Sequence, residues 1–177
     1  MMQWSLRQHP DLWGGQESDF FVPLIEGARA AYEFGTVRGD LHWLSGQHVS
    51  REEFVGRVGD GMNALYVSRS GGKRWVEQSP IYTLHLDTMV QMFPGARFIY
   101  MLRDGRSVVH SLKNFVNPMT HDEATATWVA YTESALAFKD SDAGAAMLTV
   151  RYEDVVADTE ASLRRISEFL KIPYDAA

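Results

Sequence analysis

The chain has 177 residues, 45% of them apolar and 23% charged, a net charge of −6 and no cysteine. That size and composition fit one globular domain with a real core. The acidic balance excludes a surface that attracts nucleic acid or acidic lipid as a whole, and the missing cysteines exclude disulfides, thiolate nucleophiles, Cys-type zinc sites and iron–sulfur clusters.

The first eight residues fit a helix that ends near His9, because Pro10 disfavours helical geometry in the residue before it. They contain no apolar block of signal-peptide length, and no apolar run in the chain is long enough for a membrane span, so a soluble, cytoplasmic chain is expected. Residues 11–23 read as a loop, with a helix over 18–31 interrupted or reset at Pro23. The Gly-rich, polar stretch 35–49 carries little pattern. At 50–53, SREE fits a capping box of Ser50 and Glu53, which predicts a short helix through Val58. SRSGGKR at 68–74 reads as a turn.

Trp75-Val76-Glu77 predicts a short strand, and Pro80 opens a helix that runs to about Phe93, ahead of Pro94-Gly95. RFIYML at 97–102 predicts a strand buried on both faces, followed by a polar turn and a helix over 107–115. Thr120 and Glu123 form a second capping box, opening a helix over 122–138 with Trp128, Tyr131, Ala135 and Phe138 on its inner face. A strand over 147–152 and a helix over 160–170, with Leu163, Ile166 and Leu170 on one stripe, complete the chain. This alternation predicts an α/β fold with a parallel sheet, in one domain over 1–177.

The chemistry concentrates in FIYMLRDGRSVVHSLKNF, residues 98–115, where two arginines and two serines meet at a strand-to-helix junction. Free N–H groups and the positive end of the helix dipole make such a junction an anion site. Arg103 falls at the carboxyl end of the strand, where its planar donor fork suits a phosphate, and Ser111 offers a hydroxyl eight residues on. The competing reading makes Arg103 and Asp104 a surface ion pair and Ser111 a packing residue. The six histidines show no ligand spacing, so no metal site is expected.

RDGRSVVHSL, with WVEQSP at 75–80, MFPGARF at 92–98, the RYED-containing segment 149–175 and HPDLWGGQESDFF at 9–21, resembles the sulfotransferases, especially the tyrosylprotein and related bacterial branches. The resemblance implies a P-loop-containing nucleoside triphosphate hydrolase-like three-layer α/β fold. It implies transfer of a sulfuryl group from 3′-phosphoadenosine 5′-phosphosulfate, a co-substrate, to a hydroxyl of a peptide tyrosine, a glycan or a small molecule. It gives Arg103 and Ser111 the 3′-phosphate and makes Glu17, in GGQES, the base on the acceptor. Glu77 is the weaker second candidate, read as a strand-end carboxylate paired with an arginine, and RYED is read as scaffold. The alternative function is a noncatalytic nucleotide-binding or interaction module derived from such an enzyme.

Two departures from the family pattern qualify that expectation. The strand and PRSGTT-type phosphosulfate loop with which the family begins have no counterpart here, and Gln78 stands where related families often carry a lysine near the sulfuryl group. The family fold implies that the first strand lies between those at 98–102 and 147–152. Their inner edges are therefore expected to face a gap, leaving the chain marginal or its sheet closed differently, and the chain is expected not to turn over.

Overall fold

A computed structural model describes residues 2–18, 20–115 and 117–175. The chain forms two compact units, one running to Ala96 and the other from Arg97.

The first unit begins with helix α1, Met2–Leu6, and strand β1, Leu12–Trp13, where the sequence suggested only loop. Helix α2 spans Phe21–Thr36 without a break at Pro23. Pro23 occupies the first helical turn, where its missing N–H leaves no ladder bond unmade. Phe21 and Ile25 on this helix are fully buried, each side chain contributing about 1.5–3 kcal/mol through burial. A 3₁₀ turn, Gly39–Leu41, and the short helix α3, Trp43–Gly46, lead to α4, Arg51–Ser70.

Helix α4 is far longer than the expected stop at Val58. Ser50 caps it by accepting the Glu53 N–H at 3.1 Å, and Gly71, at φ 63°, closes it in the left-handed conformation. Gly56, Gly59 and Gly61 look like helix breakers in the sequence. Yet a Cβ on Gly59 would lie 2.0 Å from the Met92 carbonyl oxygen, so the glycine is what lets α4 lie against the end of helix α5, Leu86–Met92. Before α5 come strand β2, Arg74–Trp75, and a 3₁₀ segment, Pro80–His85. β1 and β2 pair in parallel, Leu12 with Arg74 and Trp13 with Trp75.

In the second unit, strand β3, Phe98–Leu102, leads into helix α6, Gly105–Lys113. Helix α7, His121–Lys139, carries the predicted capping box, with both the Thr120 and Glu123 bonds made. A 3₁₀ turn, Asp142–Ala146, strand β4, Met147–Arg151, and helices α8, Tyr152–Ala157, and α9, Thr159–Leu170, follow. Tyr152 thus opens a helix instead of closing the strand.

β3 and β4 pair directly, in parallel, over five residues from Phe98 with Met147 to Leu102 with Arg151. The expected gap between them is absent. Unpaired N–H and C=O groups on two facing edges are costly, and direct pairing satisfies both edges at once. β3 is half-buried throughout instead of buried on both faces, because a two-stranded ribbon is too narrow for its flanking helices to exclude water fully. Among the described residues no helix is long and apolar enough to cross a membrane.

Candidate functional site

At the carboxyl end of β3 the chain turns through Arg103 and Asp104 into α6. Asp104 is the N-cap of α6: its Oδ1 accepts the Ser107 N–H at 3.1 Å. The same carboxylate receives the Arg106 guanidinium, at 3.3 Å to Nε and 3.0 Å to Nη2. That ion pair, followed by the Ser107 N–H, holds the Asp104 carboxyl below the usual carboxylate range. Gly105 is required by packing, since a Cβ there would come 2.9 Å from the Trp128 ring. Trp128 is thereby a packing residue against α6.

The turn is fixed from β4. The Asp104 N–H donates to Glu153 Oε1 at 2.9 Å, and this bond is the main cause of a lowered Glu153 carboxyl pKa. Arg151 adds an ion pair to Glu153 at 3.8 Å. Tyr152, between them, lies under the Arg103 guanidinium, whose carbon is 4.7 Å from the ring centroid. Arg103 has no carboxylate within ion-pair distance among the described residues. The reading of Arg103 and Asp104 as an ion pair therefore fails: Asp104 is taken by Arg106, and Arg103 keeps its donors available.

Arg103, Asp104, Arg106, Ser107 and His110 line an open concavity of about 320 Å³. The lining combines two arginines, one of them paired with the Asp104 carboxylate, with Ser107, His110 and the first turn of a nine-residue helix, which among the described residues leaves Arg103 as the uncompensated cation for a phosphate. Ser111 is exposed on α6, one turn beyond Ser107, and is not among the lining residues. Sequence reasoning treated the RYED segment only as scaffold and missed Tyr152 as the support of Arg103. Nothing local to Arg103 signals a partner 49 residues away. The Asp104 N-cap was missed as well, since the helix was expected to open only at Ser107; an Asp just ahead of a helix is a favoured cap and was the signal for it.

In the first unit Glu17 is exposed, and its Oε1 accepts a long bond, 3.4 Å, from the Gln78 side-chain amide. The residue read as a missing cation is thus a donor to the candidate base. Among the described residues Glu77 pairs with no arginine. Its Oε1 accepts the Ser18 N–H at 2.9 Å and lies 3.2 Å from the Tyr82 hydroxyl, while Oε2 accepts the Ser18 hydroxyl at 3.0 Å and lies 3.5 Å from the Tyr66 hydroxyl. Burial raises the pKa of both tyrosines, with Glu77 adding to the shift, so both stay protonated donors at neutral pH. Among the described residues no group of three or more His, Asp or Glu side chains is arranged to hold a metal.

The model of the sulfotransferase family matches residues 1–176. The chain belongs to this family. Among relatives, protein-tyrosine sulfotransferase A of Caenorhabditis elegans is 25% identical over 184 residues, covering 99% of this chain and 47% of its own. The protein-tyrosine sulfotransferase of Drosophila melanogaster is 26% identical over 198 residues, covering 100% of this chain and 36% of its own. The chain spans less than two thirds of the length of the curated relatives it matches. Among solved structures, the sulfotransferase domain from the Synechococcus PCC 7002 olefin synthase superposes with a TM-score of 0.64 at 21% identity, covering 96% of this chain and 67% of that one. The sulfotransferase domain from the curacin biosynthetic pathway gives a TM-score of 0.56 at 16% identity, over 76% of this chain and 54% of that one. These likenesses establish a sulfotransferase-type α/β fold.

Proposed function

We propose that this chain serves transfer of a sulfuryl group from 3′-phosphoadenosine 5′-phosphosulfate to a hydroxyl acceptor, and that Arg103 and Ser111 hold the donor's 3′-phosphate. The observation that carries the reading is the Arg103 guanidinium, free of any carboxylate among the described residues, resting on Tyr152 at the rim of a concavity that opens at the start of α6. A cation already desolvated on one face by an aromatic ring, with its in-plane donors free, is prepared for a planar two-point contact with phosphate. Arg106 adds charge beside it without leaving Asp104. Ser107 lines the same concavity, and Ser111 lies one turn further along α6.

When bound, the donor supplies the sulfuryl group, and the bond from sulfur to the bridging oxygen breaks to leave adenosine 3′,5′-bisphosphate with the electron pair. In this reading Glu17 takes the proton of the acceptor hydroxyl as its oxygen bonds to sulfur. The Gln78 amide, donating to one Glu17 oxygen, leaves the other free for that proton. The names of the relatives make peptide tyrosine the first acceptor to try.

The test incubates the chain with label on the donor sulfur and, in parallel, an acidic tyrosine peptide, a glycan and a simple phenol. Label on one acceptor supports the reading. Tight binding of adenosine 3′,5′-bisphosphate with no label on any acceptor, even in a version carrying a grafted strand and PRSGTT-type loop from a relative, favours a noncatalytic nucleotide-binding module.

A further inference from the structure

Two consecutive residues of the first unit hold two others. Gln78 donates to Glu17, and Glu77, its neighbour, binds Ser18, the neighbour of Glu17. Ser18 is gripped at every polar atom. Its N–H and hydroxyl donate to Glu77, its carbonyl lies 3.1 Å from the Tyr82 hydroxyl, and its hydroxyl also meets that of Tyr66. Glu17 itself has one long bond and an exposed side chain. Its aim is therefore set by the backbone it hangs from, and that backbone is set by Ser18.

We infer that Glu77 is the positioning residue of this site: by clamping Ser18 against Tyr66 and Tyr82 it holds the Glu17 carboxylate within reach of Gln78. The inference rests on the reading of Glu17 as the base. No arginine or lysine among the described residues forms an ion pair with Glu77. Two hydrogen bonds from Ser18 satisfy its carboxylate instead, with the Tyr82 and Tyr66 hydroxyls sharing their single protons between Glu77 and Ser18, and bonds to a charged acceptor are the strong kind. An acceptor of two oxygens can hold an N–H and up to three hydroxyls at once, which no neutral residue of this size can match. The titratable groups around the clamp are Glu17, Glu77, Tyr66 and Tyr82, and the charge of Glu17 is felt at Tyr82.

The experiment follows the side-chain amide of Gln78 by nitrogen-15 NMR in the full chain at neutral pH. In the parent chain the amide protons show nuclear Overhauser contacts to the Glu17 side chain, to which they donate. Glu77→Gln is expected to remove most of these contacts, while the helical circular dichroism and the affinity for adenosine 3′,5′-bisphosphate stay at the parent values. Where acceptor turnover is measurable, kcat falls about 10- to 100-fold with KM for the donor unchanged. Ser18→Ala and Tyr82→Phe, each removing one hydroxyl of the clamp, give smaller losses and keep the test decisive if Glu77→Gln does not fold. Unchanged contacts between Gln78 and Glu17 in Glu77→Gln, or in the Ser18→Ala/Tyr82→Phe double variant, overturn the inference. Failure of the base reading shows separately, as undiminished turnover of Glu17→Gln.

Discussion

The Arg103 guanidinium lies 4.7 Å from the centre of the Tyr152 ring, so the first residue after β4 supports the first residue after β3. The direct five-residue pairing of β3 with β4 makes this contact possible, because it brings the two strand ends side by side. Replacing Tyr152 by Leu is expected to weaken adenosine 3′,5′-bisphosphate binding by about 0.5–1 kcal/mol, the size of a cation–π contact at a partly exposed site, while Tyr152→Phe keeps the ring and the affinity. Calorimetric titration of the two variants checks it.

The same turn predicts a pH dependence of stability. The Glu153 carboxyl is lowered chiefly by the Asp104 N–H, and the Asp104 carboxyl chiefly by Arg106 and then by the Ser107 N–H. A carboxyl with a lower pKa in the folded state than in the unfolded state stabilises the fold fully above its unfolded pKa, about 4. That contribution is lost as pH falls through the lower folded value. Melting temperatures measured from pH 7 downward are expected to drop through the acid range, and less steeply in Glu153→Gln, which has no proton to gain.

Two glycines of α4 are expected to respond to alanine in opposite directions. Gly59→Ala places a methyl 2.0 Å from a backbone carbonyl oxygen and should cost about 1–3 kcal/mol or more, as overpacking does. Gly61 has nothing within 4 Å of its Cβ position, so Gly61→Ala should stabilise by about 0.5–1 kcal/mol through helix propensity. Denaturant unfolding of both variants measures the two signs.

The contrast explains what could be read in the sequence. The β3 turn into α6, the capping box of α7 and the stripe of α9 follow from local pattern, and each was legible. The length of α4 was not, because Gly56, Gly59 and Gly61 look like breaks unless the Met92 carbonyl against Gly59 is known. Glu77 was misread for a related reason. Its partner Ser18 lies 59 residues away, and no spacing rule links two such positions. The place of Arg103 at the end of a strand was legible, while its support by Tyr152 depended on a strand pairing that family analogy placed differently.

In an extended, active form that carries the strand and PRSGTT-type loop, replacing Glu17 by Gln is expected to slow acceptor sulfation by about 10²–10⁴-fold, the usual cost of losing a general base. The nucleotide should bind with parent affinity, because Arg103 and Ser111 are untouched. A rate assay at saturating donor beside a binding titration separates the two effects.

The most direct test of the account compares Arg103→Ala with the parent chain by calorimetry, using adenosine 3′,5′-bisphosphate and adenosine 5′-phosphate. The account predicts a loss of about 1.5–3 kcal/mol for the bisphosphate, the size of a charge-assisted contact, and little change for the monophosphate. Equal losses for both nucleotides, or no loss for either, would contradict the assignment of Arg103 to the 3′-phosphate.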